Sequence, residues 1–354
     1  MPILTPKSGK PKLALTPDQR FILLCSIGAV LILLSIPLAV SMGTTSIQAE
    51  QIYQIILAHL SGNAQDSGVP LGIQNIVWEL RIPRTLMACI TGAGLAIAGL
   101  CLQSITRNTL ADPHLLGISS GAVLGAVIVT VHTGEFFGPL TLPIAAFSGS
   151  LLATFIIALV SQSRYMFSAT HLLMCGVALS FVLMSVANFA LFIGDNRAGH
   201  QVIFWMLGGL GLARWDFLLI PFVVFIVCFI FLRLHTRYIN AMLIGDETAA
   251  SLGIQVTRLR MQLFIASALL TSVLVAHTGA IGFVGLMIPH IGRYFVGGDI
   301  RRLLPISAVF GGLFLIWVDV LSRTVLAPQD LPIGIITGFL GGLFFIALLI
   351  RGMR

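Results

Sequence analysis

Charged side chains are scarce in this sequence. They make up only 9% of the 354 residues, whereas 57% are hydrophobic and the mean hydropathy is +1.01. A soluble globular domain carries roughly 25% charged residues. The composition therefore excludes a soluble protein and predicts an all-α polytopic membrane protein with a single transmembrane domain over residues 20–354.

The sequence also lacks the residue patterns of common catalytic and metal sites. It contains no G-x-x-x-x-G-K-[ST] motif, so it has no P-loop to bind ATP phosphates. It shows no Ser/His/Asp or H-E-x-x-H arrangement, and its five cysteines lie inside apolar runs without C-x-x-C spacing. We therefore expect neither enzyme activity nor a metal or cofactor bound by this chain.

The net charge of +7 does not indicate nucleic-acid binding. The basic residues lie in short loops between apolar runs, which is the pattern that orients membrane proteins, and no basic stripe is interleaved with aromatic residues. We therefore expect lipid, and not nucleic acid, around this chain.

Ten apolar runs predict membrane spans. The first could instead be a signal peptide, but it is longer than the usual apolar core of 7–15 residues. The run at 281–297 is the weakest, because it is short and contains Pro289. Residues 1–19 form a polar tail, and Thr16 followed by Pro17 indicates a helix start. The predicted spans are 20–43, 84–105, 118–133, 142–162, 171–193, 216–234, 260–278, 281–297, 303–326 and 331–350.

The lysines and arginines predict the orientation. If the tail is cytoplasmic and sides alternate, fifteen of the twenty fall on the cytoplasmic side, as expected for short loops. Both termini and the segment at about 235–259 are then cytoplasmic. The five outer residues are Arg81, Arg84, Arg197, Arg214 and Arg323.

Residues 245–253 predict a short helix in that cytoplasmic segment. Asp246 and Glu247 would lie in its first turn, where negative charge suits the positive helix end. Ala249 and Leu252 favour a helix, and Gly253 fits a C-terminal stop. Because such a helix cannot span a bilayer, we interpret it as the surface on which an external motor acts.

The membrane-embedded charges give little support for ion coupling, which usually needs ionisable groups at membrane depth. Asp319 is the one clear candidate, and Arg323 four residues later predicts an i,i+4 ion pair with it. Energy for any transport would then come from another subunit.

Arg81 and Arg84 flank Pro83 at the start of a span, where the helix dipole disfavours cations. Two interpretations stay open. The arginines could extend to lipid phosphate, or an acidic partner could dock on them from outside, with Arg323 joining them.

Several ordered motifs resemble one family over nearly all of residues 50–350. They are Arg-Ile-Pro-Arg-Thr-Leu (81–86), Asn-Thr-Leu-Ala-Asp-Pro (108–113), Leu-Gly-Ile-Ser-Ser-Gly (116–121), Gly-Ala-Ile-Gly-Phe-Val-Gly-Leu (279–286) with Pro-His (289–290), and Leu-Pro-Ile-Gly (331–334). The sequence resembles the permease subunits of type II ABC importers for ferric siderophores, haem and cobalamin. Thr109 departs from the family, which usually has proline there.

The resemblance implies a homodimer of ten-helix subunits in the bacterial inner membrane. Two ATPase subunits, carrying ATP and Mg²⁺, would bind the loop through Gly245, Glu247, Ala249, Leu252 and Gly253. A periplasmic binding protein would dock on Arg81, Arg84 and Arg323. The cytoplasmic gate would include Ser168, Ala169 and Thr170. The fifth and tenth spans would line the pathway with Asn188 and Thr337, although hydrogen bonds between helices explain these two residues equally well.

A ferric siderophore is the first substrate hypothesis, because such systems are the most numerous in the family, and haem or cobalamin is the alternative. Two other classes remain as less favoured hypotheses. An ion-coupled secondary transporter would work without an ATPase, and an intramembrane enzyme would need a nucleophile or metal constellation that the sequence does not show.

Overall fold

A computed structural model describes residues 16–43, 45, 47–62, 68–161, 169–194 and 196–352. These residues are nearly all helical, which confirms the all-α prediction. The α-helices are α1 (Pro17–Ser41), α2 (Ala49–Leu60), α3 (Leu71–Asn75), α4 (Ile82–Thr106), α5 (Ile118–Val127), α6 (Thr141–Ser161), α7 (Ala169–Phe192), α8 (Asn196–Met206), α9 (Trp215–Ile244), α10 (Asp246–Ser251), α11 (Val256–Thr278), α12 (Val284–Val296), α13 (Ile300–Thr324) and α14 (Ile333–Gly352).

Eight helical segments within the described residues are long and apolar enough to cross a membrane. One of them runs without interruption from Leu71 to Thr106, because a π-helical segment (Ile76–Arg81) joins α3 to α4. Two shorter apolar helices occupy the other predicted spans: α5 with its π-helical continuation to Thr133, and the 13-residue α12. The ten predicted spans therefore correspond to eight long helices and two short ones.

The sequence prediction missed helices that continue beyond the apolar runs. The segment 44–80, which lies between the first two predicted spans, contains α2, α3 and most of the π-helical segment. The predicted coupling segment at 235–259 is mostly helical as well, because α9 extends to Ile244 and α11 begins at Val256. Hydropathy marks where a helix leaves the lipid, but backbone hydrogen bonding can continue into water.

Helix α4 lies at the centre of the subunit and packs against α13, α11, α12 and α9. Glycines allow these close contacts. A Cβ built on Gly92 would lie 2.1 Å from the carbonyl oxygen of Gly311, and one on Gly99 would lie 2.0 Å from that of Gly285. Small residues that bring helix backbones together are the usual basis of helix association in lipid.

The α5–α6 contact follows the same rule. A Cβ on Gly121 would lie 2.3 Å from the carbonyl oxygen of Gly149, so the two helix backbones are in close contact. On α14, in contrast, a Cβ built on Gly338 or Gly342 meets no described atom within 4 Å. This helix leaves a small-residue surface open in the single subunit.

Aromatic rings join α2 to α9 at the predicted outer end of the molecule. The His59 ring stacks on Trp78 with centroids 4.1 Å apart, and Trp78 lies 5.0 Å from Trp215. The Trp215 indole Nε1 donates a hydrogen bond of 2.8 Å to the carbonyl oxygen of Trp78. Trp215 is the first residue of α9, and tryptophan is enriched at membrane–water interfaces.

Candidate functional site

The short helix predicted between α9 and α11 is present as α10. Gly245 precedes it, and Gly253 follows it with φ +80°, a left-handed conformation that glycine adopts without steric cost. The Ile254 amide then donates to the carbonyl oxygen of Ala249 at 3.1 Å, which closes the helix end. The predicted C-terminal stop at Gly253 is thus confirmed by the backbone.

Asp246 fixes α10 to the rest of the subunit. Its carboxylate accepts hydrogen bonds of 2.8 Å at each oxygen from Arg260 Nη2, and it forms a further ion pair with Arg107. Arg260 Nε also donates to the Ile105 carbonyl at 3.2 Å, and Arg107 Nε donates to that of Met242 at 2.8 Å. Helix α10 is therefore tied to the ends of α4, α9 and α11.

The backbone of Arg107, which pairs with Asp246, has an unusual left-handed conformation. It follows the last residue of α4 with φ +50°, one of two described non-glycine residues with positive φ. Left-handed backbone costs a non-glycine residue of the order of 1 kcal/mol or more, and such strain clusters at functional positions. In this conformation, the Arg107 guanidinium contacts the Met242 carbonyl and the Asp246 carboxylate.

The predicted coupling residues divide between two sides of α10. Ala249 is fully buried and packs into the subunit. Glu247 is exposed, and the Leu252 side chain is 67% exposed although it is apolar. A partner could contact Glu247 and Leu252 directly, whereas Gly245, Ala249 and Gly253 set the helix position. Sequence reasoning missed the Asp246–Arg107–Arg260 cluster, because it used both arginines only to assign orientation.

A second polar cluster joins α9 to α13 at the same end of the molecule. Asn240 donates to Asp299 Oδ1 at 2.7 Å and accepts from the Ile300 amide at 3.0 Å. Burial acts to raise the pKa of Asp299. Hydrogen bonds from the Arg301 amide and Asn240, with the charges of Arg301 and Arg302, outweigh burial and lower that pKa below its ordinary value.

Arg81 is buried at the opposite end of the molecule. Its Nη1 donates to the carbonyl oxygen of Val40 at 2.8 Å, and its Nη2 donates to that of Thr45 at 2.7 Å. Only 6% of the residue is exposed. Arg81 thus binds the segment that follows α1, and carbonyl groups of its own chain satisfy the guanidinium.

Arg84 and Arg323 share one buried carboxylate. Asp319 is fully buried; its Oδ1 lies 2.7 Å from Arg84 Nε, and its Oδ2 lies 3.1 Å from Arg323 Nη2. The predicted Asp319–Arg323 pair is confirmed as an ion pair, although its angle does not make a hydrogen bond. Arg84 Nη1 also contacts the half-exposed Asp330 at 2.6 Å.

These contacts change how the outer arginines are interpreted. The structure brings Arg81, Arg84 and Arg323 into one cluster, but each is mostly buried and faces carbonyl or carboxylate groups of its own chain. Neither lipid phosphate nor a partner is needed to balance Arg81 and Arg84. Arg323 is different, because its Nε and Nη1 have no hydrogen-bond acceptor among the described residues. The docking role stays a prediction.

The residues expected at the gate and along the pathway lie on α7 and α14. Ser168 lies outside the described residues, and Ala169 and Thr170 begin α7. Asn188 is exposed on α7. Thr337 is fully buried in the subunit, and its hydroxyl donates to the Gly334 carbonyl at 3.3 Å. The gate and lining roles stay predictions.

The fold as a whole matches that of an ABC transporter. A solved structure described as metal-chelate type and inward-facing superimposes with a TM-score of 0.79 at 26% identity, covering 92% of this chain and 98% of the other. The architecture is thus the type II ABC importer permease fold, and the protein is a multi-pass membrane protein.

Sequence comparison gives the family. The chain belongs to the FecCD transport family, whose model matches residues 30–351. The vitamin B12 import system permease BtuC of Vibrio cholerae is 37% identical over 278 residues, covering 78% of this chain and 83% of that protein. The hemin transport system permease HmuU of Yersinia pestis is 36% identical over 285 residues, with coverage of 78% and 83%. The protein is therefore an ABC importer permease.

Proposed function

We propose that this chain is driven by two cytoplasmic ATPase subunits that bind α10, and that these subunits carry the ATP and Mg²⁺. The supporting observation is the geometry of α10. A short helix displays Glu247 and an exposed Leu252, while Asp246 holds it against three long helices through Arg107 and Arg260. Burying the exposed Leu252 side chain against a partner would be favourable, because it removes apolar surface from water.

The anchoring explains why movement at α10 would reach the membrane. A partner pushing on a loosely attached loop would only displace that loop. Arg260 is buried, and its Nη2 donates to both oxygens of Asp246 in charge-assisted hydrogen bonds, which are stronger than neutral ones. Displacement of α10 is therefore transmitted to α4 and α11.

Co-purification with the ATPase subunits tests this role. Glu247→Lys and Leu252→Arg each place a positive charge on the proposed contact, so we expect loss of the ATPase subunits while the permease still inserts. Glu50→Lys is the matched control, because it makes the same substitution at an exposed position on α2, at the other end of the molecule. Normal co-purification of both α10 variants would contradict the coupling role.

On the outer face, we infer that a periplasmic binding protein docks where Arg81, Arg84 and Arg323 cluster. Asp330 pairs with Arg84 in the single subunit, so an acidic residue of the binding protein would have to replace Asp330 there. Asp330 is half exposed and can be displaced. Arg323 Nε and Nη1 have no acceptor among the described residues, but they are buried, so docking there also requires Arg323 to become accessible. It also requires both termini to be cytoplasmic in the bacterial inner membrane, as the distribution of lysine and arginine predicts.

A homodimer with its pathway between α7 and α14 is the assembly we favour. Both helices are largely exposed in the single subunit, and Gly338 and Gly342 leave α14 free to approach another backbone. Asn188 and Thr337 would then lie near the axis, with residues 168–170 at the cytoplasmic gate. Cross-linking through Gly342→Cys tests the arrangement; a dimer that gives no cross-link at this position would contradict it.

For the substrate, we propose a ferric siderophore, with haem or cobalamin as the alternative. The metal-chelate description of the structural neighbour supports the first, and the names of the vitamin B12 and hemin permeases support the second. Mixing the purified permease with binding proteins for each substrate class separates them. Complex formation with a haem-binding or cobalamin-binding protein alone would exclude the siderophore.

A further inference from the structure

The surface of α9 changes from apolar to basic along a single stripe. Residues at successive intervals of three and four lie on one helix face and are all exposed. Toward the cytoplasmic end, the stripe finishes in Arg233 and Arg237, which are also exposed. The apolar members are Leu219, Phe222, Val223, Ile226 and Ile230, with exposed fractions between 36% and 67%.

A third arginine lies beside this end of the stripe, at the start of α13. Arg233 Nη1 donates a hydrogen bond of 3.1 Å to the carbonyl oxygen of Arg301, so the exposed Arg301 at the start of α13 lies next to it. Among the described residues, none of these three arginines is within 4.0 Å of a carboxylate. Positive charge is therefore concentrated where two helices meet.

The nearby carboxylates are already engaged. Asp299 faces Arg301 and Arg302, but its Oδ1 accepts hydrogen bonds from Asn240 and from the Arg301 amide. Asp18 pairs with Arg302 at 2.7 Å. Arg233 and Arg237 thus keep donors available for an anion from outside the chain.

The depth of these residues indicates which anion. At 1.5 Å per residue, Arg233 lies about 27 Å and Arg237 about 33 Å along α9 from Trp215. With Trp215 at the outer interface, where tryptophan is enriched, these two arginines would straddle the inner edge of a hydrocarbon core about 30 Å thick. Helix α9 continues to Ile244, roughly 43 Å from Trp215, and α10 follows after Gly245. The basic residues are therefore at the level of lipid phosphate, and the ATPase contact lies beyond them.

We propose that the cytoplasmic ends of α9 and α13 bind the headgroup of an anionic phospholipid through Arg233, Arg237 and Arg301, with its acyl chains along the apolar stripe of α9. Guanidinium groups suit phosphate because they donate two parallel hydrogen bonds. Basic pockets between helices on the cytoplasmic side are typical of such lipid sites.

Native mass spectrometry of the full-length protein in nanodiscs tests this inference. The probes are phosphatidylglycerol, which is anionic, and phosphatidylcholine, which is zwitterionic. We expect the wild type to retain phosphatidylglycerol preferentially, and Arg233→Gln with Arg237→Gln to lose roughly thirtyfold of that preference, since each basic residue near an anionic surface contributes about fivefold. Arg20→Gln with Arg258→Gln, which removes the same charge at two other exposed arginines, should retain it.

Three outcomes would overturn the proposal. The wild type could retain both lipids equally, which needs no variant and so does not depend on folding. The control pair could lose as much preference as the α9 pair, which would indicate only diffuse attraction. Loss of ATPase binding with unchanged lipid retention would assign the arginines to a protein contact. Because both leaflets of a nanodisc have the same composition, none of these results depends on the proposed orientation or transport function.

Discussion

Arg84 forms one ion pair with a buried carboxylate, Asp319, and another with a half-exposed carboxylate, Asp330. Comparing the two pairs measures how burial changes the contribution of an ion pair to stability. Both carboxylates contact Arg84, at 2.7 Å and 2.6 Å, but Asp319 is fully buried whereas the Asp330 side chain is 47% exposed. Replacing each by asparagine removes one negative charge and almost no volume. The N···O distance is nearly the same in the two ion pairs, so the comparison isolates the solvent exposure of the carboxylate.

The two substitutions are expected to lower the free energy of unfolding by amounts that differ by roughly 2–5 kcal/mol. Asp319→Asn leaves Arg84 and Arg323 without a buried counter-ion, and their side chains are only 14% and 5% exposed. Removing one partner of a buried pair costs about 3–5 kcal/mol, and an arginine cannot avoid that cost by losing its proton. Asp330→Asn removes a half-exposed pair, for which about 0–1 kcal/mol is expected.

Circular dichroism over a denaturant series, measured on the purified protein in detergent, gives the free energy of unfolding of each variant relative to the wild type. Arg84→Met should lie between them, because Arg323 still faces Asp319 in that variant. Equal and small losses for Asp319→Asn and Asp330→Asn would refute the reasoning, since they would mean that water or lipid headgroups already solvate the Asp319 site.

Three further predictions concern other parts of the chain. Asp330→Asn should strengthen binding-protein docking at low ionic strength, because it frees Arg84, and unchanged affinity in a pull-down titration would remove Asp330 as a competitor. Asp299 stabilises the fold above its unfolded pKa of about 3.9, and this contribution is lost as the pH falls through its lower folded pKa. The free energy of unfolding of Asp299→Asn should therefore change less with pH in acid than that of the wild type. Gly99→Ala should cost about 1–3 kcal/mol in thermal unfolding, whereas Gly72→Ala, with open space around it, should cost little.

Sequence patterns predicted the helices well wherever lipid dictates the composition. The apolar runs match observed helices to within a few residues, and Thr16 caps α1 as expected, in a capping box with Gln19. The predictions failed at the membrane surfaces, where α9 continues ten residues past its predicted end at 234. There the chain is already polar, so hydropathy no longer distinguishes a helix from a loop.

The candidate site was predictable in its parts but not in its pairings. The position of α10 follows from its local sequence, whereas the partners of Asp246 are 139 and 14 residues away. Arg84 pairs with Asp319 across 235 residues. Only the Asp319–Arg323 pair was foreseen, because an i,i+4 spacing is a local geometry. Long-range pairs depend on how helices pack, and a single sequence does not contain that information.

Helix α4 connects the two clusters. Arg107, immediately after its last residue, binds Asp246 of α10, and Arg84 in its first turn binds Asp319 and Asp330. About 35 Å of buried helix separates these arginines. Glycines pack this helix tightly against α12 and α13, so we expect the three helices to move as one body. A shift imposed on α10 would therefore reach Asp330, three residues before α14, and would link the proposed ATPase contact to the helix proposed to line the pathway.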